Sequence, residues 1–216
     1  MEKMPYQSDL EGATPAASEA PSPRGNWRQG LPTLHGSVVT MRALRQRDAA
    51  PLFASMAADD VRRFIAPPPP TVEAFEAFID WTDRQRDAGQ SVCFAVAARK
   101  TDAAIGLFQV RALDLDFSTA EWGFALGVEH WGQGYFSDGA DMAIDFAFEV
   151  LGVRRLEART ALQNTRGNAV LKSLGATDEA VLRLSLTANG ERVDQRLWSI
   201  LAEDWRATHG PGPRYN

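Results

Sequence analysis

The chain has 216 residues, 44% hydrophobic and 24% charged, a soluble globular balance that suits one domain with a substantial core. A net charge of −5 argues against nucleic acid as the main ligand, and no apolar run approaches the roughly 20 residues of a membrane-spanning helix. The single cysteine, Cys93, excludes an internal disulfide, and the scattered histidines His35, His130 and His209 lack the spacing of a zinc site, so no metal is expected.

Residues 1 to 33 are rich in Pro, Ala, Ser, Gly and Glu, and bury too little apolar surface to offset their ordering entropy. They are expected to form a disordered tail, with Trp27 and Leu31 as local docking points. The start of the chain lacks the basic-then-apolar pattern of a signal peptide, so the expected location is the cytoplasm. A domain is expected over 34–207, with a short C-terminal tail over 208–216. Val38–Leu44 has strand character, and Asp48 is placed to cap a helix running to Met56. Pro67–Pro70 form a stiff connection. Thr71 then caps a second helix, with Phe75, Phe78, Ile79 and Trp81 mostly on one face.

Three strands are expected next, at Ser91–Ala98, Ala103–Leu113 and Ala120–Leu126, with Gly123 hinting at a bulge in the third. Cys93 lies in the first of these and reads as a buried small hydrophobe. The segment VEHWGQGYFS (Val128–Ser137) follows, and leads into a helix over about Tyr135–Leu151. That helix has Met142, Phe146 and Val150 on its apolar face and Asp141, Asp145 and Glu149 on its polar side. A strand at Arg154–Thr160, a helix over about Gly167–Leu174 ending at Gly175, and two strands joined by Asn189-Gly190 complete the pattern. The expected fold class is α/β (α+β), with a mixed, mostly antiparallel sheet flanked by helices.

Gly132 and Gly134 stand just before a helix start. Glycine permits unusual φ/ψ and close approach, and a helix N-terminus offers unpaired N–H groups and the positive end of its dipole. That arrangement suits a phosphate or pyrophosphate. A P-loop hydrolase is disfavoured because no Lys-Ser/Thr pair follows the glycines.

Four motifs in order carry a family resemblance: Ala120-Glu121-Trp122-Gly123-Phe124, Trp131-Gly132-Gln133-Gly134-Tyr135, Asn164-Thr165-Arg166 and Val170-Leu171-Lys172-Ser173-Leu174-Gly175. Together they resemble the GNAT N-acetyltransferase superfamily, and within it the branch of ribosomal-protein alanine and serine N-acetyltransferases. The match runs from about Leu34 to Trp205. The resemblance implies transfer of an acetyl group from acetyl-CoA to a primary amine, by direct attack in a ternary complex. It implies a CoA phosphate loop at Gly132, Gln133, Gly134, Tyr135, Phe136 and Ser137, a pantetheine-pairing strand edge at Phe124, Ala125 and Leu126, and a CoA-contacting or site-ordering Asn164. Several positions depart from the family pattern. Trp131 stands where Arg or Gln usually opens the loop, Phe136 replaces a small residue, and Leu171 replaces the tyrosine that protonates the leaving thiolate. Gly167 stands for Ser or Ala, Ala176 for an aromatic residue, and Arg159 for a strand glutamate.

Glu121 is the candidate base, able to take a proton from the acceptor ammonium through water; its alternative is a strand residue paired with an arginine. Asn164 is a catalytic and cofactor-binding candidate, or else a helix cap. A non-catalytic CoA-binding module and an enzyme using another acyl donor such as succinyl-CoA remain alternatives, and the oligomeric state is open between monomer and homodimer.

Overall fold

Strand alternation sorts the apolar side chains onto two faces of one sheet, and helices cover both. In the computed structural model, residues 26–65, 67–188 and 190–210 are described. The expected tail before residue 26, Asn189 of the hairpin turn and the residues after 210 lie outside them. The elements are β1 (Leu34–His35), β2 (Val39–Ala43), α1 (Ala49–Met56), α2 (Asp59–Arg62), α3 (Val72–Asp87), β3 (Ser91–Ala98), β4 (Ala104–Ala112), β5 (Thr119–Leu126), α4 (Tyr135–Glu149), β6 (Arg155–Ala161), α5 (Thr165–Ser173), β7 (Thr177–Ala188), β8 (Glu191–Leu201) and α6 (Ala202–His209). The strand order is β1-β2-β3-β4-β5-β6-β8-β7. Every neighbouring pair is antiparallel except β5 with β6, which is parallel.

On one face Met41, Phe94, Phe108, Trp122 and Leu156 pack with Ala140, Ile144 and Phe146 of α4. On the other, Cys93 and Ala95 pack under Leu52 and Met56 of α1 and Phe75 and Ile79 of α3. The Cys93 thiol is buried and pushed up to about 12 by that burial, with a smaller contribution from the Asp83 charge, so it is no nucleophile.

Thr71 caps α3 as its sequence suggests, its Oγ1 accepting from the Ala74 N–H at 3.1 Å. Asp48 makes no side-chain cap on α1. Its carboxylate instead accepts two bonds from the buried Arg42 guanidinium, at 2.7 and 2.9 Å, and one from the Arg45 N–H at 2.8 Å. Gly123 makes no bulge, for the β4–β5 register runs unbroken through its pairing with Gln109. Trp27 is 4% exposed and meets the Phe117 ring edge-on at 5.8 Å, so the chain is anchored well before β1.

The helix α6 has no counterpart in the sequence reading. It docks on the acidic side of α4, where Asp145 accepts from Trp205 Nε1 at 2.8 Å and Glu149 from Arg206 Nε at 2.7 Å. Asp145 and Glu149 of that polar side are therefore half-buried against protein, while Asp141 stays exposed.

Candidate active site

The parallel strands β5 and β6 pair only at their first residues, Thr119 with Arg155, Ala120 with Leu156 and Glu121 with Glu157. Beyond Glu121 they diverge, and residues 122–126 of β5 keep a partner on the β4 side alone. The bonds from Leu113 N–H to Thr119 C=O and from Gly127 N–H to Ile105 C=O, at 2.8 and 2.9 Å, show which residues face β4. In an antiparallel ladder these alternate, so the odd-numbered residues of β5 direct their backbone groups to β4 and the even-numbered ones to the gap. The C=O of Trp122 and the main-chain groups of Phe124 and Leu126 therefore face the gap, while the Trp122 N–H serves the pairing of Glu121 with Glu157. Ala125, expected at the same edge, has its N–H and C=O turned to β4. The Leu126 C=O is taken by Trp131 Nε1 at 2.8 Å, which leaves its N–H at the gap.

The gap opens towards the start of α4. Gly132 and Gly134 have φ of +72° and +81°, and a Cβ at either would meet nothing within 4 Å. This backbone needs glycine for its conformation, not for space inside the protein. No side chain caps α4, and its first internal bond runs from Asp138 N–H to Gly134 C=O at 3.1 Å. The N–H groups of Tyr135, Phe136 and Ser137 thus have no partner within the helix. Gln133 is exposed and donates from Nε2 to the Glu129 C=O at 2.7 Å, which closes the loop on itself. Ser137 is exposed beside it. Phe136 turns inward, 4.6 Å from the Phe124 ring and 5.7 Å from Phe108, so its bulk serves the core while its amide faces out. Tyr135 packs edge-on to His130 at 5.8 Å.

Two positioning contacts were not legible in the sequence. Asp138 accepts from the N–H groups of Ser37, Val38 and Val39 at 2.8, 2.8 and 2.9 Å, tying the start of α4 to β2. Gly36 permits this, because a Cβ there would lie 2.3 Å from the Asp138 carboxylate. Arg166, at the start of α5, lies over the Trp131 ring at 4.4 Å and bridges the loop to the opposite side of the gap. A tryptophan where Arg or Gln is usual was the available signal for a cation supplied from elsewhere.

Asn164 caps α5, its Oδ1 accepting from the Gly167 N–H at 2.8 Å. The glycine at 167 follows from that cap, since a Cβ there would lie 2.5 Å from Asn164 Nδ2. Asn168 braces the same turn. Its Nδ2 donates to the C=O groups of Ala161 and Asn164 at 3.0 and 2.8 Å, and its Oδ1 accepts from Thr160 at 2.6 Å. Leu171 is wholly buried, so no proton donor stands there, and Ser173 donates to the Val170 C=O at 2.8 Å.

Glu121 sits at the vertex of the divergence, on the α1–α3 face. It is 7% exposed, and both of its guanidinium partners approach Oε2, Arg111 at 2.6 Å and Arg159 at 3.6 Å. The expected base is therefore a paired carboxylate with Oε1 left to accept. Glu157 next to it holds Arg155 at 2.9 Å, and Arg155 continues to Glu179. The Arg155 guanidinium and the Ser199 hydroxyl hold the Glu179 carboxyl down at about 2. Among the described residues no cluster of His, Cys, Asp and Glu suits a metal ion, and no helix is long and apolar enough to cross a membrane.

A forked parallel pair, with an amide-rich helix start at its mouth, defines an acetyltransferase of the GNAT type. The family model described as "Acetyltransferase (GNAT) domain" matches residues 39–177, and the chain belongs to that family. It is 28% identical over 176 residues to an uncharacterized N-acetyltransferase, p20, of Bacillus licheniformis, covering 81% of this chain and 99% of that one. Among solved structures it resembles Mycobacterium smegmatis RimJ in complex with CoA-disulfide, with a TM-score of 0.74 at 20% identity, over 90% of this chain and 100% of that one. It also resembles the ribosomal-protein-S5-alanine acetyltransferase of Vibrio fischeri, with a TM-score of 0.72 at 19% identity, over 80% and 98% of the two chains. At those identities the likeness concerns the fold.

Proposed function

We propose that the protein transfers an acetyl group from acetyl-CoA to a primary amine, of a protein N-terminus or a small molecule, by direct attack in a ternary complex. The observation that carries this reading is the divergence of β5 from β6 beyond Glu121, with unpaired main-chain groups along one edge and unpaired helix N–H groups at its mouth. Acetyl-CoA supplies an activated acyl carbon: the acceptor nitrogen forms the new C–N bond, the C–S bond breaks, and the amine proton passes by way of solvent to the departing thiolate.

The protein's part is to bind, orient and move protons. The main-chain N–H groups at 132–137 hold the pyrophosphate, and Arg166 adds positive charge beside them. The gap-facing backbone of Phe124 and the N–H of Leu126 pair with the amide-bearing arm, and one of these N–H groups polarises the thioester carbonyl. Asn164 Nδ2 donates to the ligand while its Oδ1 holds the cap. Glu121 Oε1 accepts from the acceptor amine and passes its proton to water. The relatives named for ribosomal-protein acetylation support amine acceptors in general. A non-catalytic reading draws on the buried Leu171, and it predicts acetyl-CoA binding without release of thiol.

Isothermal titration with acetyl-CoA tests the loop. The variant carrying Gly132→Asp and Gly134→Asp places two anions at the phosphate position, and should bind at least about a hundredfold more weakly. Unchanged tight binding by a variant with the wild-type circular dichroism spectrum would overturn the assignment.

A further inference from the structure

We propose that the α1–α3 face of the sheet over Gly123 is the acceptor site, and that it takes an amine that also carries a carboxylate, held by Arg159 and Gln109. This rests on the acetyl-transfer reading above and narrows its acceptor. The argument starts from donors that the fold buries without using. Gln109 is 9% exposed and its Nε2 has no partner. Arg159 Nε is buried and likewise has none. A buried donor left unpaired costs about 1–3 kcal/mol, so these two, with the Ser91 hydroxyl also unpartnered on the same face, call for a missing acceptor.

Register places Gln109 and Arg159 on one face of the sheet, either side of Gly123. Gln109 is the partner of Gly123 on β5, and Arg159 is two residues beyond Glu157, the partner of Glu121. Residues two apart along a strand share a face, so Gln109, Arg111, Glu121, Gly123, Glu157 and Arg159 all lie on the same side. Gly123 contributes no side chain between Gln109 and the mouth of the gap.

The charges around it are unequally matched. Arg111 is bound to Glu121 at 2.6 Å, and Arg155 to Glu157 at 2.9 Å and to Glu179. Arg159 reaches those same carboxylates only at 3.6 Å each, after both have a closer partner. Its side chain is 32% exposed and can turn to a ligand from solvent. A guanidinium presents a planar fork of donors that matches a carboxylate better than any neutral group. Glu121 Oε1, on the same face, accepts the acceptor's amine. The site therefore reads two opposite groups on one small molecule, as on a free amino acid, whereas a peptide N-terminus carries an amide at the second position.

Release of CoA thiol with matched acceptors tests this. Free amino acids, their C-terminal amides and the corresponding decarboxylated amines are compared with the full chain and acetyl-CoA. The carboxylate-bearing members should show kcat/KM at least about tenfold higher, with the difference in KM. Arg159→Gln should bring the ratio near one and Arg159→Lys should retain part of it, both with the wild-type Kd for acetyl-CoA. Equal or better turnover of the amides or decarboxylated amines by the wild-type protein would overturn the carboxylate site and leave acetyl transfer standing. A preference that survives Arg159→Gln in a folded variant would overturn the role of Arg159. Tight binding of acetyl-CoA with no thiol release from any acceptor would instead overturn the acetyl-transfer reading, and this inference with it.

Discussion

Two arginine–carboxylate clusters of the sheet differ in how fully they are satisfied. At β2, Arg42 is 2% exposed and donates to both oxygens of Asp48, to Oδ1 and the C=O of Asp102, and to the C=O of Ala43. Arg45 and Arg47 close the remaining side of Asp102 at 2.8 and 2.6 Å. At the β5–β6 vertex, Arg159 keeps an unpaired Nε, Gln109 an unpaired Nε2 and Glu121 an oxygen without a protein donor. A saturated buried network holds the chain in one arrangement, because breaking any link strands a charge. An unsaturated one at the mouth of a gap has capacity left for a ligand.

The contrast can be broken most severely at the saturated end. Asp48→Ala leaves Arg42 buried with two of its five hydrogen bonds gone, and should lower the unfolding free energy by about 3–5 kcal/mol in urea titration. The Kd of the folded variant for acetyl-CoA should stay at the wild-type value. A loss below about 1 kcal/mol would show that Arg42 does not lock this end of the sheet. Next in size is Glu121→Gln, which keeps a hydrogen-bond acceptor for Arg111 but cannot take a proton. Turnover should fall by about a hundredfold, most at low pH where more of the amine is protonated, with little change in acetyl-CoA affinity. Wild-type rates across the pH range would return Glu121 to the class of purely structural ion pairs.

The smallest effect is expected at a carboxylate that has no guanidinium partner. Burial under α6 raises the Asp145 carboxyl above the ordinary aspartate value, against the lowering effect of the Trp205 N–H. A raised folded value adds stability that is complete below the unfolded value and is lost as pH rises through the folded one. Asp145→Asn keeps an acceptor for Trp205 and should raise the melting temperature slightly at neutral pH, with the gain shrinking in acid. A lower melting temperature at neutral pH would show that the charge itself holds α6 in place.

The parts of this molecule that local chemistry dictates were legible in the sequence. Thr71 before an apolar-periodic segment marked the start of α3, and the run Ser91–Ala98 marked β3 to the residue. Gly132 and Gly134 marked a turn with φ above zero, which is what the backbone adopts. The helix α6 was not legible, because among its residues only Ala202 and Trp205 are buried, too few for a periodic stripe. Asp48 marked the N-cap position of α1, but its carboxylate serves Arg42 instead of the helix, because a residue type suited to capping is equally suited to pairing with an arginine six positions earlier. Ala125 was placed at the gap edge, because composition cannot say which way a strand residue turns its backbone.

The sequence by itself determined the order of elements, the glycine turn ahead of α4 and the membership that four ordered motifs announce. Those are properties of short stretches, where φ/ψ preference, capping and apolar period act within a few residues. The tertiary structure alone decided where β5 leaves β6, which backbone groups face the gap, and which arginine beside Glu121 remains under-partnered. Each of these depends on register between separate segments of the chain, 36 residues apart for Glu121 with Glu157 and 14 for Gln109 with Gly123 beside it. Register is a long-range choice that side-chain packing makes after the local elements exist.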